Sequence, residues 1–246
     1  MNMRRFGLIG YPLDHSFSKD YFTKKFIREG INAVYDNFPL KTIDEFKNLI
    51  AQYPELNGLN VTRPYKSAIT GFLDELDAKA GSTGAVNVVS IKNAKPELKG
   101  YNTDIDGFVL SLKPMLDDST RKALVLGTGG ASLAVRAGLD MLGIDYSVVS
   151  RHRAKTGLSY QDITGDMIKD YQLIINASPL GTFPDTGSAP DIPYQSLKKG
   201  TILYDLVYNP GETLFLIQGQ AKGCRVKNGM EMLIIQAEKA WDIWNS

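Results

Sequence analysis

Short apolar runs alternate along this chain with longer segments in which apolar residues recur every three or four positions, the pattern of strands followed by helices. Strands are predicted at 5–10, 33–37, 58–61 and 86–92, and helices at 19–29, 43–52, 67–73 and 105–116. In the first helix Tyr21, Phe22, Phe26 and Ile27 form the expected inner face. Past a polar stretch, Asp117–Thr120, which is the most linker-like segment by composition, the alternation resumes. Strands are expected at 122–126, 146–149, 173–176, 201–205 and 224–226, with helices through Leu142, at 213–222 and at 230–245. Such a succession predicts an α/β protein with mainly parallel sheets covered by helices on both faces.

The polar residues that interrupt this pattern at strand ends carry the chemistry. In Asn60-Val61-Thr62-Arg63-Pro64-Tyr65-Lys66 the proline cannot donate to a ladder and keeps Arg63 out of the helical region, so the strand stops there. Lys66 is then either a solvated first residue of the next helix or a group held at a cleft, where a lysine can serve as acid or base. Asp104, in Gly100-Tyr101-Asn102-Thr103-Asp104, is either the N-cap of the following helix or the carboxylate partner of Lys66. The loop after the first strand gathers Pro12, Asp14, His15, Ser16 and Ser18 where open α/β sheets bind ligands. Ser16 and Ser18 fit a small hydroxylated or carboxylated molecule, while Ser18 also fits the N-cap of the helix that follows.

A second site is written in Gly127-Thr128-Gly129-Gly130-Ala131-Ser132, between the strand 122–126 and a helix. Glycines at that junction let backbone N–H groups and a helix N-terminus face a phosphate, and the strand–helix–strand context favours a dinucleotide over a structural turn. An NAD site usually places Asp or Glu at the end of the next strand, against the ribose 2′-OH. Here the chain reads Ser150-Arg151-His152-Arg153-Ala154-Lys155, with no acid and three Lys/Arg side chains, so NADP is the expected cofactor. Asn176 and Leu206 are expected at strand ends beside the nicotinamide, with Tyr208 just beyond.

Composition narrows the rest. Of 246 residues 43% are hydrophobic and 22% charged, with a formal net charge of +1, which gives no electrostatic reason to expect a nucleic-acid or membrane partner. Cys224 is the one cysteine and His15 and His152 the two histidines, so neither an internal disulfide nor a soft N/S metal cage is expected. The N-terminal apolar run breaks at Gly10-Tyr11-Pro12, too early for a signal peptide, and a cytoplasmic location is expected.

The motifs together resemble the shikimate dehydrogenase family over the whole chain. The matching stretches are Ile9-Gly10-Tyr11-Pro12 through His15-Ser16-Phe17-Ser18, Gly58 to Lys66, Gly84-Ala85-Val86-Asn87, Gly100 to Asp104 and Gly127 to Ala131. Asn176 to Gly181, Tyr204 to Pro210 and Gly229 to Leu233 with Gln236 complete them. The resemblance implies a substrate domain (1–106), a Rossmann-type NADP domain (107–229) and a terminal helix (230–246) that returns to the first. It implies NADPH-dependent, reversible reduction of 3-dehydroshikimate to shikimate, a step towards chorismate and the aromatic amino acids. Shikimate would be held by Ser16, Ser18, Thr62, Asn87, Asp104, Tyr208 and Gln236, with Lys66 as acid/base. NADP would be held by Gly127, Thr128, Gly129, Gly130, Ala131, Ser150, Arg151, Arg153, Lys155, Leu206 and Gly229.

Departures from the family pattern are Lys19, Phe22 and Thr23 for its proline, histidine and asparagine, Val88 for a threonine, and Ser150-Arg151-His152 for Asn-Arg-Thr. Two rival readings are a quinate/shikimate dehydrogenase, whose relatives often carry threonine at the position of Ser18, and a non-catalytic NADP sensor. The presence of both Lys66 and Asp104 speaks against a sensor, which needs no proton donor.

Overall fold

The computed structural model of the chain describes residues 3–13, 16–92 and 97–246. It divides into one unit of residues 1–103 with 237–246 and a second of residues 104–236. The divisions of these units fall at 103/104 and 236/237. Asp117–Thr120 lies inside the second unit. Asp117 Oδ1 accepts the Ser119 N–H at 2.9 Å and the stretch closes a turn inside the second unit.

The first unit contains β1 (Arg4–Gly10), α1 (Phe17–Glu29), β2 (Ala33–Pro39), α2 (Glu45–Gln52), β3 (Leu56–Val61), β4 (Glu75–Leu76), α3 (Ala78–Thr83), β5 (Val88–Lys92) and β6 (Glu97–Tyr101). Its strands form one sheet in the order β2-β1-β3-β5-β6-β4. β1 pairs in parallel with β2 and β3, whereas β5 is antiparallel to both β3 and β6, so this sheet is mixed. Successive side chains of a strand face opposite sides. Ile9, Leu59, Val61 and Val89 accordingly enter a core with Phe46 and Ile69, while Phe6, Leu8, Tyr35 and Val88 enter another with Phe22, Phe26 and Trp244.

Two sequence expectations change here. The helix expected at 67–73 is a 3₁₀ turn, Ala68–Phe72. On α1 the buried residues are Phe22, Lys25 and Phe26, and Ile27 is 78% exposed. Lys25 takes the inward place because its Nζ lies 2.8 Å from Glu238 Oε2 and 3.2 Å from Glu29 Oε1, so the buried cation is paired.

The second unit runs α4 (Asp104–Leu112), β7 (Lys122–Leu126), α5 (Gly130–Leu142), β8 (Asp145–Ser150), β9 (Leu158–Ser159), α6 (Gly165–Ile168), β10 (Leu173–Asn176), β11 (Ile202–Asp205), α7 (Leu214–Gln220) and β12 (Arg225–Lys227). Helix α8 (Met230–Trp244) begins in it and ends in the first unit. The strands form a parallel sheet, β12-β11-β10-β7-β8-β9. Leu124, Leu126, Ile174 and Leu203 point to one face and Ala123, Val125, Ile175 and Tyr204 to the other, so apolar layers cover both sides. Among the described residues no helix is long and apolar enough to cross a membrane.

Candidate active site

In the first unit the turn bearing Lys66 is fixed through its backbone on several sides. The Thr62 N–H donates to Ile9 O at 2.9 Å, the Tyr11 N–H to Arg63 O at 3.2 Å, and the Val86 N–H to Lys66 O at 2.7 Å. The buried Tyr65 adds a hydroxyl bond to Leu40 O at 2.6 Å. Lys66 and Thr62 are half-buried, so Lys66 is not the fully solvated residue that a surface lysine would be.

The two serines divide their roles. Helix α1 starts at Phe17, and it is Ser16, not Ser18, that caps it, accepting the Lys19 N–H at 3.2 Å. Ser18 lies in the first turn and hydrogen-bonds the Tyr35 hydroxyl, which in turn donates to Asn60 Oδ1 at 2.7 Å. Burial pushes the Tyr35 phenol well above its ordinary range, so it stays a neutral link. Asp14 and His15, grouped with these hydroxyls in the sequence, lie outside the described residues.

Asn60 continues the chain by donating to Asn87 O at 3.4 Å. Asn87 is 2% exposed; its Oδ1 accepts the Thr103 N–H at 2.7 Å and its Nδ2 donates to Thr103 Oγ1 at 2.9 Å. Asn102 Nδ2 donates to Ala85 O at 2.9 Å. The loop leading to Asp104 is thereby tied to the segment before β5. Tyr35 and Asn102 had no role in the sequence reading, since an apolar strand position and a loop amide do not announce one.

In the second unit Asp104 is the first residue of α4 rather than its N-cap, and is buried. With Asp106 it places acid at the positive end of the helix. Tyr208 is half-buried beyond β11, and Gln236 is buried on α8, where its Nε2 donates to Leu233 O at 2.9 Å.

The nucleotide half is built on β7 and α5. Gly127 has φ 121, a conformation that disfavours a side chain, and a Cβ there would lie 2.9 Å from Ala177 O. Gly129 precedes the first turn of α5, and a Cβ at Gly129 or Gly130 would meet none of the described residues within 4 Å. The helix N-terminus therefore opens onto space that a phosphate can fill. Ser132 Oγ, buried in that first turn, has no hydrogen-bond partner among the described residues. These features fit a dinucleotide's pyrophosphate.

After β8 the hydroxyl of Ser150 accepts the His152 N–H at 3.1 Å and donates to the His152 carbonyl, so it shapes its own turn. Arg153 is held by Gly157 O at 3.3 Å from Nε and by Asp162 Oδ1 at 3.5 Å. Arg151 lies near the half-buried Tyr160, whose phenol burial raises and Arg151 lowers. Arg151, Arg153 and Lys155 are all exposed, as a site for a phosphate dianion requires of groups that must reach it. Asn176, expected beside the nicotinamide, is fully buried. It acts on the loops from beneath: its Nδ2 donates to Asp205 Oδ1 at 2.9 Å.

Written from β9 to β12, the strand order of the second unit is 3-2-1-4-5-6 in order of appearance, with the glycine turn at the point where that order reverses. This is the dinucleotide-binding arrangement of a dehydrogenase. Residues 8–89 match the shikimate dehydrogenase substrate binding domain. Over 97% of the chain the sequence is 35% identical to the NADP(+) shikimate dehydrogenase of Caldanaerobacter subterraneus subsp. tengcongensis, covering 90% of that protein. The chain belongs to the shikimate dehydrogenase family. Among solved structures, shikimate 5-dehydrogenase of Thermus thermophilus in complex with NADP(H) and shikimate superposes with a TM-score of 0.85 at 29% identity, over 98% of this chain and 93% of that one. Quinate dehydrogenase of Corynebacterium glutamicum in complex with NAD gives 0.88 at 27%, again over 98% and 93%.

Proposed function

We infer that this chain is an NADP-dependent shikimate dehydrogenase, interconverting 3-dehydroshikimate and shikimate. The observation that carries the reading is the pairing of family membership with a β8 end that has Arg151, Arg153 and Lys155 and no acid. Ser16, Ser18, Thr62, Asn87, Asp104, Tyr208 and Gln236 are proposed to hold the substrate, by resemblance to the family. The backbone of Gly127 to Ala131 is proposed to receive the pyrophosphate, and Arg151 with Lys155 the 2′-phosphate. Leu206 and Gly229 are proposed to line the nicotinamide end, while Ser150 and Arg153 shape the turn.

NADPH held at the glycine turn and the basic β8 end would supply the hydride for the ketone carbon. The chain's task is to hold the substrate and to give the developing alkoxide a proton. Lys66 is proposed as that donor, on a turn whose backbone leaves it little freedom, and Asp104 as the carboxylate that orients the amine and a substrate hydroxyl.

A second reading, quinate as an additional substrate, is favoured by the fold similarity to the quinate dehydrogenase and disfavoured by Ser18 and the basic β8 end. Initial rates with shikimate and with quinate, each with NADP and with NAD, test both. Turnover of shikimate with NADP alone is expected; comparable turnover of quinate with NAD would overturn the assignment.

A further inference from the structure

A carboxylate with no part in the chemistry above lies beneath the strand ends of the second unit. Asp205, the last residue of β11, is fully buried. Its Oδ1 accepts from Asn176 Nδ2 at 2.9 Å and from the Val207 N–H at 3.0 Å, and its Oδ2 accepts from Thr213 Oγ1 at 2.5 Å. Thr213 is the N-cap of α7, accepting the Leu216 N–H at 3.4 Å. Asn176 extends the network, its Oδ1 accepting from the Ser178 N–H at 3.1 Å and the Ser178 hydroxyl at 2.6 Å. One carboxylate thus ties the loop after β10 to the loop after β11.

Each of those loops abuts an element of the nucleotide site. Ala177 O is the atom that a Cβ on Gly127 would meet, and Leu206 O lies 2.2 Å from where a Cβ on Gly229 would stand. The sheet order sets which half of the cofactor is concerned. β8, with the basic turn, lies on one side of β7, and β10 and β11 lie on the other. The adenosine 2′-phosphate belongs with the former and the nicotinamide with the latter.

We propose that Asp205 is a positioning residue for the nicotinamide half of NADP, fixing the 177–180 and 206–213 loops from below. The proposal rests on the cofactor reading given above. Three donors converge on the group, and only the ionised carboxylate accepts from all of them without presenting a hydrogen of its own. A proton on Oδ2, or an amide in its place, would reverse this bond, so that the Thr213 hydroxyl would accept rather than donate and its own hydrogen would turn away from Asp205. Burial pushes Asp205 up to about 6, so the two forms exchange within a testable range. Tyr194, from the 3₁₀ turn Tyr194–Ser196, is raised first by burial and also by the charge of Asp205, so that phenol stays neutral.

The test is titration of the full chain with NADPH, by fluorescence, and with 2′,5′-ADP, by calorimetry, at pH 8 and pH 5.5, for the wild type and Asp205→Asn. At pH 8 the variant should bind NADPH roughly tenfold more weakly, as for one lost charge-assisted hydrogen bond, and 2′,5′-ADP as before. On acidification the wild type should lose NADPH affinity beyond the loss 2′,5′-ADP shows, whose 2′-phosphate also titrates near pH 6, and the variant should not. The wild-type comparison needs no variant and stands even if the substitution impairs folding. Equal weakening of both nucleotides, or unchanged NADPH affinity, would overturn the proposal. A wild type that bound neither nucleotide would overturn the cofactor reading and the proposal with it.

Discussion

Replacing Trp244 tests how the terminal helix is anchored. Its side chain is 7% exposed, stacked on Phe6 at 4.8 Å between ring centroids and tilted against Phe22 at 5.4 Å, and its Nε1 donates to Val89 O at 3.1 Å. Trp244→Ala removes a large buried ring, a change that costs about 3–5 kcal/mol. For a chain of this size, where each kcal/mol moves Tm by about 2–4 °C, a loss near 4 kcal/mol lowers Tm by roughly 8–16 °C. Trp244→Phe keeps part of the ring packing and removes the Nε1–Val89 O hydrogen bond, for a loss of about 1–2 kcal/mol. Ile27→Ala is the control, because that side chain projects from α1 and should change stability by no more than about 0.5 kcal/mol. Scanning calorimetry reads all three. A Tm within 2 °C of wild type for Trp244→Ala, or a loss for Ile27→Ala as large as for Trp244→Ala, would refute the packing described here.

Lys66→Ala should lower kcat by roughly 10²- to 10⁴-fold with KM for shikimate within a modest factor, and near-normal turnover would remove the lysine from the mechanism. Arg151→Ala should raise KM for NADP and leave that for NAD nearly unchanged, whereas Arg153→Ala should do less because that guanidinium is held by Asp162 and Gly157 O; steady-state rates with each cofactor decide. Gln236→Ala should weaken shikimate binding by about 1 kcal/mol and leave NADP binding unaltered in calorimetric titrations. Asp205 also sets a pH dependence of stability. Its folded value of about 6 exceeds the ordinary 3.8, so the protonated form contributes stability that is fully present below about pH 4 and lost as pH rises through 6. At ~1.4 kcal/mol for each tenfold, that gap amounts to about 3 kcal/mol, and denaturation of Asp205→Asn between pH 4 and 7 should lack this slope.

The parts of the fold legible in the sequence are those whose cause is local. The strand 122–126, the glycine turn and the helix through Leu142 follow from backbone chemistry within some twenty residues, and the observed β7 and α5 keep those places. The antiparallel β6 was missed because Glu97-Leu98-Lys99-Gly100-Tyr101 alternates weakly and ends on a glycine and a tyrosine, and α3, Ala78–Thr83, because six small or polar residues show no helical period. The inward Lys25 depends on Glu238, more than two hundred positions away, so hydropathy alone assigns that place to Ile27.

The same distinction separates the site's parts. Glycines and basic turns declare a nucleotide because the ligand reads their backbone or charge directly. A residue such as Asp205 declares nothing, because its function lies in partners at Asn176 and Thr213 that the chain brings together only when the parallel sheet forms. Ser16 and Ser18 stand between these cases. Either hydroxyl fits a cap by sequence, and the choice turns on one N–H, that of Lys19, after which Ser18 is the one left to join Tyr35. Where two similar residues compete for a local role, the one that loses it is the better candidate for a role in the site. Here the winner, Ser16, still keeps its own hydroxyl hydrogen for a ligand, since a capping oxygen only accepts.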